Sequence, residues 1–220
     1  MDSSIASTAK DFLERDEPEL PTTTVIIDSI EPEKVKPYPE LWEDMVRYNQ
    51  SIAAQGQSGL SCAYDYQKAS FRLVDYGLPD EIFGVLSIPA IDLEMPIYLG
   101  ATEQHMADGA AHLSQTSLPI GGMDTNCVIA GHRGYSGASY FRYLDQLHVG
   151  DRVSVTNLWE TLNYRVCEIR IIAPSDVEEI LIQPGRELLT LLTCHPYASG
   201  GRQRYVVYCE RSELTTFPTS

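Results

Sequence analysis

Leu188-Leu189-Thr190-Leu191-Leu192-Thr193-Cys194-His195-Pro196-Tyr197 is an apolar run of strand length that stops abruptly at a cysteine, with a proline just beyond it. Proline cannot continue a ladder, so the strand ends there. A strand end on a rigid scaffold holds a sulfur atom in place far better than a loop does, and so suits a nucleophile. A core cysteine that merely ends a strand is the competing reading, because free cysteine is among the most buried residue types.

Working outward, strand-length runs dominate everything after Pro79: Phe83 to Ile88, Leu93 to Tyr98, Val128 to Gly131, Val153 to Leu158, Tyr164 to Ile172, Leu188 to Cys194 and Tyr205 to Cys209. Short connections rich in Gly, Pro and Asp separate several of them. Only two short helical insertions interrupt the pattern, Tyr140 to Leu147 and Ser175 to Ile182. The expected fold is mostly β, a closed or nearly closed barrel rather than a βαβ sheet.

Upstream, Leu41, Trp42, Met45, Asn49, Ile52 and Ala53 recur at helical spacing from Pro39, and Gly56 and Gly59 end the pattern near Gln55. Residues 57–78 have no clean period and carry Gly, Ser, Tyr and a cysteine, as a surface loop would, running into a second short helix near Ala69 to Val74. This stretch is a candidate lid. Residues 1–36 mix Ser, Thr, Pro and acidic residues around one short apolar patch and read as a flexible acidic tail. The expected division is therefore a tail over 1–36, a helix and lid over 37–79, a catalytic barrel over 80–212 and a C-terminal tail over 213–220.

Composition narrows the function classes. Of 220 residues, 43% are hydrophobic and 21% charged, which is a globular balance. A formal charge of -15 repels phosphate backbones, so nucleic acid is not an expected partner. No apolar run approaches the ~18 to 20 residues of a bilayer-spanning helix. Five cysteines without a C-x-x-C pair suggest neither a disulfide framework nor a zinc ribbon. Cys127, Cys167 and Cys209 lie inside apolar strand-like runs and read as small buried hydrophobes; Cys62 and Cys194 have other settings.

Two further strand ends carry chemistry. Cys127-Val128-Ile129-Ala130 runs into Gly131-His132-Arg133-Gly134, where glycines flank a histidine. An imidazole there could pass protons to and from a leaving group and favour a nearby thiolate; a surface turn histidine is the alternative. Arg204-Tyr205-Val206-Val207 opens the strand after the cysteine, and its guanidinium could hold a carbonyl and face an oxyanion, or be an ordinary solvated charge.

Together these three segments resemble the sortase family, whose pattern is T-L-x-T-C at the nucleophile, a G-H-R-like histidine upstream and an arginine opening the strand after the cysteine. Thr190-Leu191-Leu192-Thr193-Cys194 matches the first element residue for residue. The resemblance spans about Ile82 to Arg211. Within the family the details look most like the pilus-building class C enzymes: Ser87-Ile88-Pro89-Ala90-Ile91, Pro96-Ile97-Tyr98-Leu99-Gly100, His112-Leu113, Ser117-Leu118-Pro119, Gly121-Gly122 and the helical Tyr48-Asn49.

The resemblance implies a cysteine transpeptidase with Cys194 as nucleophile, His132 as proton-transfer partner and Arg204 as electrostatic clamp, needing no metal or organic cofactor. Its partners would be pilins or other surface proteins with an LPxTG-like sorting signal and a lysine amine as acceptor. It also implies a place on the extracellular face of the Gram-positive membrane, with the chain read as an ectodomain whose anchor has been removed. Two other jobs stay open: a housekeeping or class D-like sortase that attaches proteins to peptidoglycan, and a catalytically silent barrel that binds sorting signals.

The chain departs from the class C pattern in four places. The lid tripeptide Asp-Pro-aromatic is missing, and Asp65-Tyr66 beside Tyr64 is the nearest substitute. Thr193 joins Asp65 and Tyr66 as an expected substrate-binding or lid residue. Cys62 in the same loop could reach Cys194 and block it as a disulfide, or face solvent. Ala198-Ser199-Gly200-Gly201-Arg202-Gln203 is glycine-rich and one residue longer than usual, which makes Arg202 a rival of Arg204. His195 beside the nucleophile is unusual too, but neighbouring side chains on a strand point to opposite faces, so it is not the expected base.

Overall fold

The structure is a computed structural model and describes residues 3–15, 36–57, 60, 68–134, 137–198 and 200–212. Eight strands close into a barrel: β1 (Ile82–Ile88), β2 (Leu93–Leu99), β3 (Ala110–His112), β4 (Thr125–Ala130), β5 (Arg152–Asn157), β6 (Thr161–Ile172), β7 (Glu187–His195) and β8 (Gln203–Arg211). Their order around the barrel is β1-β2-β3-β4-β7-β8-β6-β5. The pairs β2/β3 and β4/β7 are parallel and the other six, including the closing β1/β5 pair, are antiparallel. The barrel expected from the spacing of apolar runs is the one observed. β3 was not anticipated: at three residues it is too short to show a period.

All eight strands send side chains to one interior cluster, which includes Leu86, Met95, Ala110, Ile129, Val153, Leu162, Leu191 and Val207. On β4, β7 and β8 the outward residues Val128, Ala130, Leu192, Val206 and Tyr208 are buried as well, in a second cluster with Leu60, Met106 and Ile180. Burial on both faces explains why these strands read as continuous apolar runs rather than alternating ones. The outer cover is tied down by polar contacts: Asn126 donates to the carbonyls of Ile180 and Leu181 at 3.0 and 3.1 Å and accepts from the Thr190 hydroxyl at 2.7 Å.

Helix α1 (Ser3–Leu13) departs from the tail reading of residues 1–36. Ile5, Ala9 and Phe12 recur at 4 and 3 residues and are buried, and the last two pack against Ile82, Val85 and Tyr98 on the outside of β1 and β2. Average composition hid a helical spacing of three apolar residues that burial makes decisive. Helix α2 (Pro39–Gln55) has the expected bounds, with Pro39 in the first turn and Gly56 closing it at φ 77°. Its buried Asn49 accepts from the Leu118 amide at 2.7 Å, which fastens the segment leading into β4. A third helix, α3 (Glu103–Asp108), is capped by Thr102 and places Met106 in the outer cluster.

The three other expected helices are only 3-10 turns, at Leu73–Tyr76, Leu144–Gln146 and Val177–Ile180. Such segments are too short to nucleate an α-helix, and tertiary packing sets their shape. Among the described residues no helix is long and apolar enough to cross a membrane.

His112, at the end of β3, is fully buried, with Nε2 3.2 Å from both the carbonyl and the hydroxyl of Thr116. Desolvation pushes its pKa down to about 4. The folded value lies below the ordinary 6.5 of an unfolded chain, so the unfolded state takes up the proton first as pH falls. We expect this residue's contribution to be complete above pH about 6.5 and to shrink by roughly 3 kcal/mol on going down to about 4. Denaturant titrations at both pH values, with His112→Gln losing less stability over that window than wild type, check this.

Candidate active site

β4 and β7 are parallel neighbours whose register places Thr125 opposite Glu187 and Ala130 opposite Leu192, a constant offset of 62 positions. Continued two residues past the last pair, that register brings His132 level with Cys194, whose numbers differ by the same 62 (194 minus 132). On the other side of β7, the antiparallel register pairs Cys194 directly with Arg204. Cys194 and Arg204 thus lie at one level on adjacent strands, and the β4 register, continued past its last residue, reaches that level at His132. Period-2 alternation places Cys194 and Arg204 on the outer face, with Leu192 and Val206.

Cys194 is half-buried. The turn before β8 folds over it at Gly201, where φ is 75°. A Cβ built on Gly201 would lie 3.2 Å from both Cys194 Sγ and Arg204 Nη1, so thiol and guanidinium meet at the glycine's bare face. Arg204 is 7% exposed and donates from Nη1 to the carbonyl of Gly201 at 2.6 Å. Arg202 lies in the same turn and is exposed. Burial and strand pairing therefore single out Arg204 as the arginine beside the sulfur.

The histidine loop is held from below. The Gly131 amide donates to the Leu192 carbonyl at 3.1 Å, and the Thr193 hydroxyl donates to the Gly131 carbonyl at 2.7 Å. Thr193, expected among the substrate-binding or lid residues, is fully buried and faces away from Cys194; its hydroxyl latches the two strand ends together. Gly131 is required for a steric reason, because a Cβ there would fall 2.8 Å from the Phe141 ring. His132 is half-buried, and desolvation holds its pKa below the ordinary value. An imidazole so placed is mostly neutral near neutral pH and can accept a proton.

His195 points the other way, as alternation requires. Arg133 donates from Nη1 to His195 Nδ1 at 2.7 Å and to the Cys194 carbonyl at 3.4 Å, and its Nη2 pairs with Asp145. Because a guanidinium can only donate, Nδ1 of His195 is the acceptor and Nε2 carries the proton. Burial, and then the Arg133 charge, lower the His195 pKa. The arginine after His132 therefore braces the backbone at Cys194 from the barrel side, a task that sequence reading missed because the pairing crosses 61 residues.

Asp65, Tyr66 and Cys62 lie outside the described residues. Nearby, Leu60 is buried in the outer cluster with Ala130, Leu192 and Val206, so the start of the candidate lid reaches the face that carries Cys194. Gln57 bridges the Gln115 carbonyl and the Ile182 amide at 2.9 and 2.7 Å. Cys127 and Cys209 are buried as expected, and Cys167 is half-buried with its thiol donating to the Tyr208 carbonyl at 3.3 Å. Among the described residues, no three His, Cys, Asp or Glu side chains converge as metal ligands would.

Gly201→Ala should lower the second-order rate of Cys194 alkylation by iodoacetamide about tenfold or more. The added methyl crowds the sulfur and strains a left-handed backbone position. Timed intact-mass measurement of the alkylated fraction checks this.

Comparison with known proteins accords with this geometry. The family profile described as Sortase domain matches residues 86–212. Sortase D of Bacillus subtilis strain 168 is 30% identical over 132 residues, covering 58% of this chain and 63% of its own length. Sortase A of Streptococcus agalactiae serotype III is 29% identical over 156 residues, covering 69% and 60%. The matches thus span under two thirds of these curated relatives. Among solved structures, sortase C1 of pilus island 1 of Group B Streptococcus is 32% identical, with a TM-score of 0.70 over 83% of this chain and 86% of that one. Sortase C-1 from Streptococcus pneumoniae is 29% identical, with a TM-score of 0.70 over 95% and 97%. A profile match across most of the barrel, relatives of this similarity and a shared fold leave one conclusion: the chain belongs to the sortase family.

Proposed function

We propose that this protein is a cysteine transpeptidase of the class C type, which cleaves an LPxTG-like sorting signal after Thr and joins the acyl group to a lysine amine of a pilin. The observation that carries the reading is the pairing of Cys194 with Arg204 on the outer face of β7 and β8, with His132 just past the end of the neighbouring β4. The pilus-related sortases among its structural neighbours support the choice of acceptor.

In this reading His132 takes the proton of the Cys194 thiol as the sulfur attacks the Thr carbonyl carbon. Arg204 faces the oxygen as it gains charge, and its near-complete burial strengthens that interaction. His132 gives a proton to the departing amine, the C–N bond breaks and a thioester remains on Cys194. An acceptor lysine amine then attacks the thioester, His132 takes its surplus proton and the thiol is released. The apolar surroundings, Ala130, Leu192 and Val206, keep water from competing with the amine. The barrel over 80–212 does this chemistry, with residues 37–79 as helix and lid. The site of action is the outer face of a Gram-positive membrane.

The relationship to sortase D of Bacillus subtilis favours one second reading, in which the acceptor is a peptidoglycan stem peptide. A competition between a lysine-bearing pilin domain and such a peptide separates the two by product mass.

With an LPxTG-type peptide, the intact mass should rise by one acyl group in wild type and stay unchanged in Cys194→Ala. Arg204→Ala should slow adduct formation by about 10²–10³-fold, as for loss of an oxyanion donor, while Arg202→Ala stays within about twofold of wild type, as for a solvated surface charge. No adduct in wild type over a panel of sorting signals, with peptide binding retained, would instead identify a silent signal-binding barrel.

A further inference from the structure

Among the described residues between β4 and β5, Tyr140 is the non-glycine residue with a left-handed backbone. Its backbone is left-handed at φ 42°, which a bulky aromatic residue rarely adopts unless its surroundings enforce it, yet its side chain is buried. Three contacts impose this geometry. Its hydroxyl donates to the Ala107 carbonyl at 2.5 Å, near the end of α3. The next residue, Phe141, donates its amide to the His132 carbonyl at 2.9 Å, and its ring fills the space that Gly131 leaves bare. The Tyr140 ring itself meets the His132 imidazole edge to face, with centroids 6.1 Å apart and planes at 85°.

An edge-to-face pair is directional, so it restricts the tilt of the imidazole as well as excluding water from one side of it. A proton-transfer group misplaced by an ångström loses most of its effect. We propose that Tyr140 is a positioning residue for His132: pinned at its hydroxyl to α3, its ring holds the imidazole at the level of Cys194 and shields it from solvent. The inference rests on the catalytic reading of His132 given above. It also ties the imidazole to α3, whose Met106 lies in the apolar cluster beside the nucleophile.

The burial that lowers the His132 pKa agrees with this arrangement, and it supplies a readout that a purely structural residue would not move. The test follows the imidazole titration of His132 by NMR in ¹³C-histidine-labelled protein, with the resonance assigned through His132→Gln, alongside the rate of thioacyl adduct formation. Tyr140→Leu, which keeps apolar volume and loses the ring face, should raise the His132 midpoint toward its ordinary 6.5 and slow adduct formation about tenfold, with the other histidines unmoved. Tyr140→Phe keeps the ring and loses the tie to Ala107, and should slow the reaction about threefold with a smaller titration shift.

A folded Tyr140→Leu protein whose His132 titrates as in wild type overturns the proposal. A shifted titration with an unchanged adduct rate upholds the contact and overturns the catalytic assignment of His132. If the leucine variant does not fold, nuclear Overhauser contacts between the Tyr140 and His132 rings in wild type decide: their presence supports the proposal and their absence overturns it.

Discussion

The parallel pairing of β4 with β7 is the constraint on which the site depends. Parallel strands carry no local turn to set their register, so here it is set by burial: both strands are apolar on both faces, and a slip by one residue would exchange the interior set (Cys127, Ile129, Leu189, Leu191) for the outer one. Two polar latches reinforce the same alignment, Thr190 to Asn126 within the strands and Thr193 to the Gly131 carbonyl at their end. With the register held, Cys194 stands beside the strand end that leads to His132, and β8 adds Arg204 by its pairing with Cys194.

Alternation along β7 gives the two faces of the strand end different work. Cys194 belongs to the outer face, among apolar residues, beneath the bare face of Gly201. His195 and the Arg133 guanidinium face the interior side, where Tyr205 lies under the guanidinium at 5.5 Å and Asp145 completes the charge balance. The Arg133 contact to the Cys194 carbonyl stiffens the backbone that carries the sulfur without placing another ionisable group on the reacting side. One tripeptide, Gly131-His132-Arg133, thus supplies a close-packing position, an imidazole and a brace in three successive residues.

The barrel was legible because all but one of its strands are apolar-rich runs of strand length, several of them punctuated by Gly, Pro and Asp. Helix α2 was legible for a similar reason, with Pro39 and Gly56 marking its ends. Helix α1 was not: its three buried residues, Ile5, Ala9 and Phe12, count for little in a stretch dominated by Ser, Thr and acidic residues, and only packing, of Ala9 and Phe12 on the outer surface of β1 and β2 and of Ile5 in the main core cluster, makes them a face. β3 and α3 escaped for want of length.

Residue types and spacing along the chain by themselves determined the strand count to within one, the apolar ends at Cys194 and His132, and the preference for Arg204 over Arg202 from the alternation that follows it. Tertiary structure alone decided that Cys194 pairs with Arg204 beside the strand end that leads to His132, that Thr193 latches strands rather than lining the outer face, and that Arg133, Tyr140 and Gly201 pack around these residues. The reason is physical. Hydrophobic period and turn chemistry are local and are written in consecutive residues, whereas register, face and close approach are relations between segments some 60 residues apart, set by which packing buries the most surface without stranding a polar group.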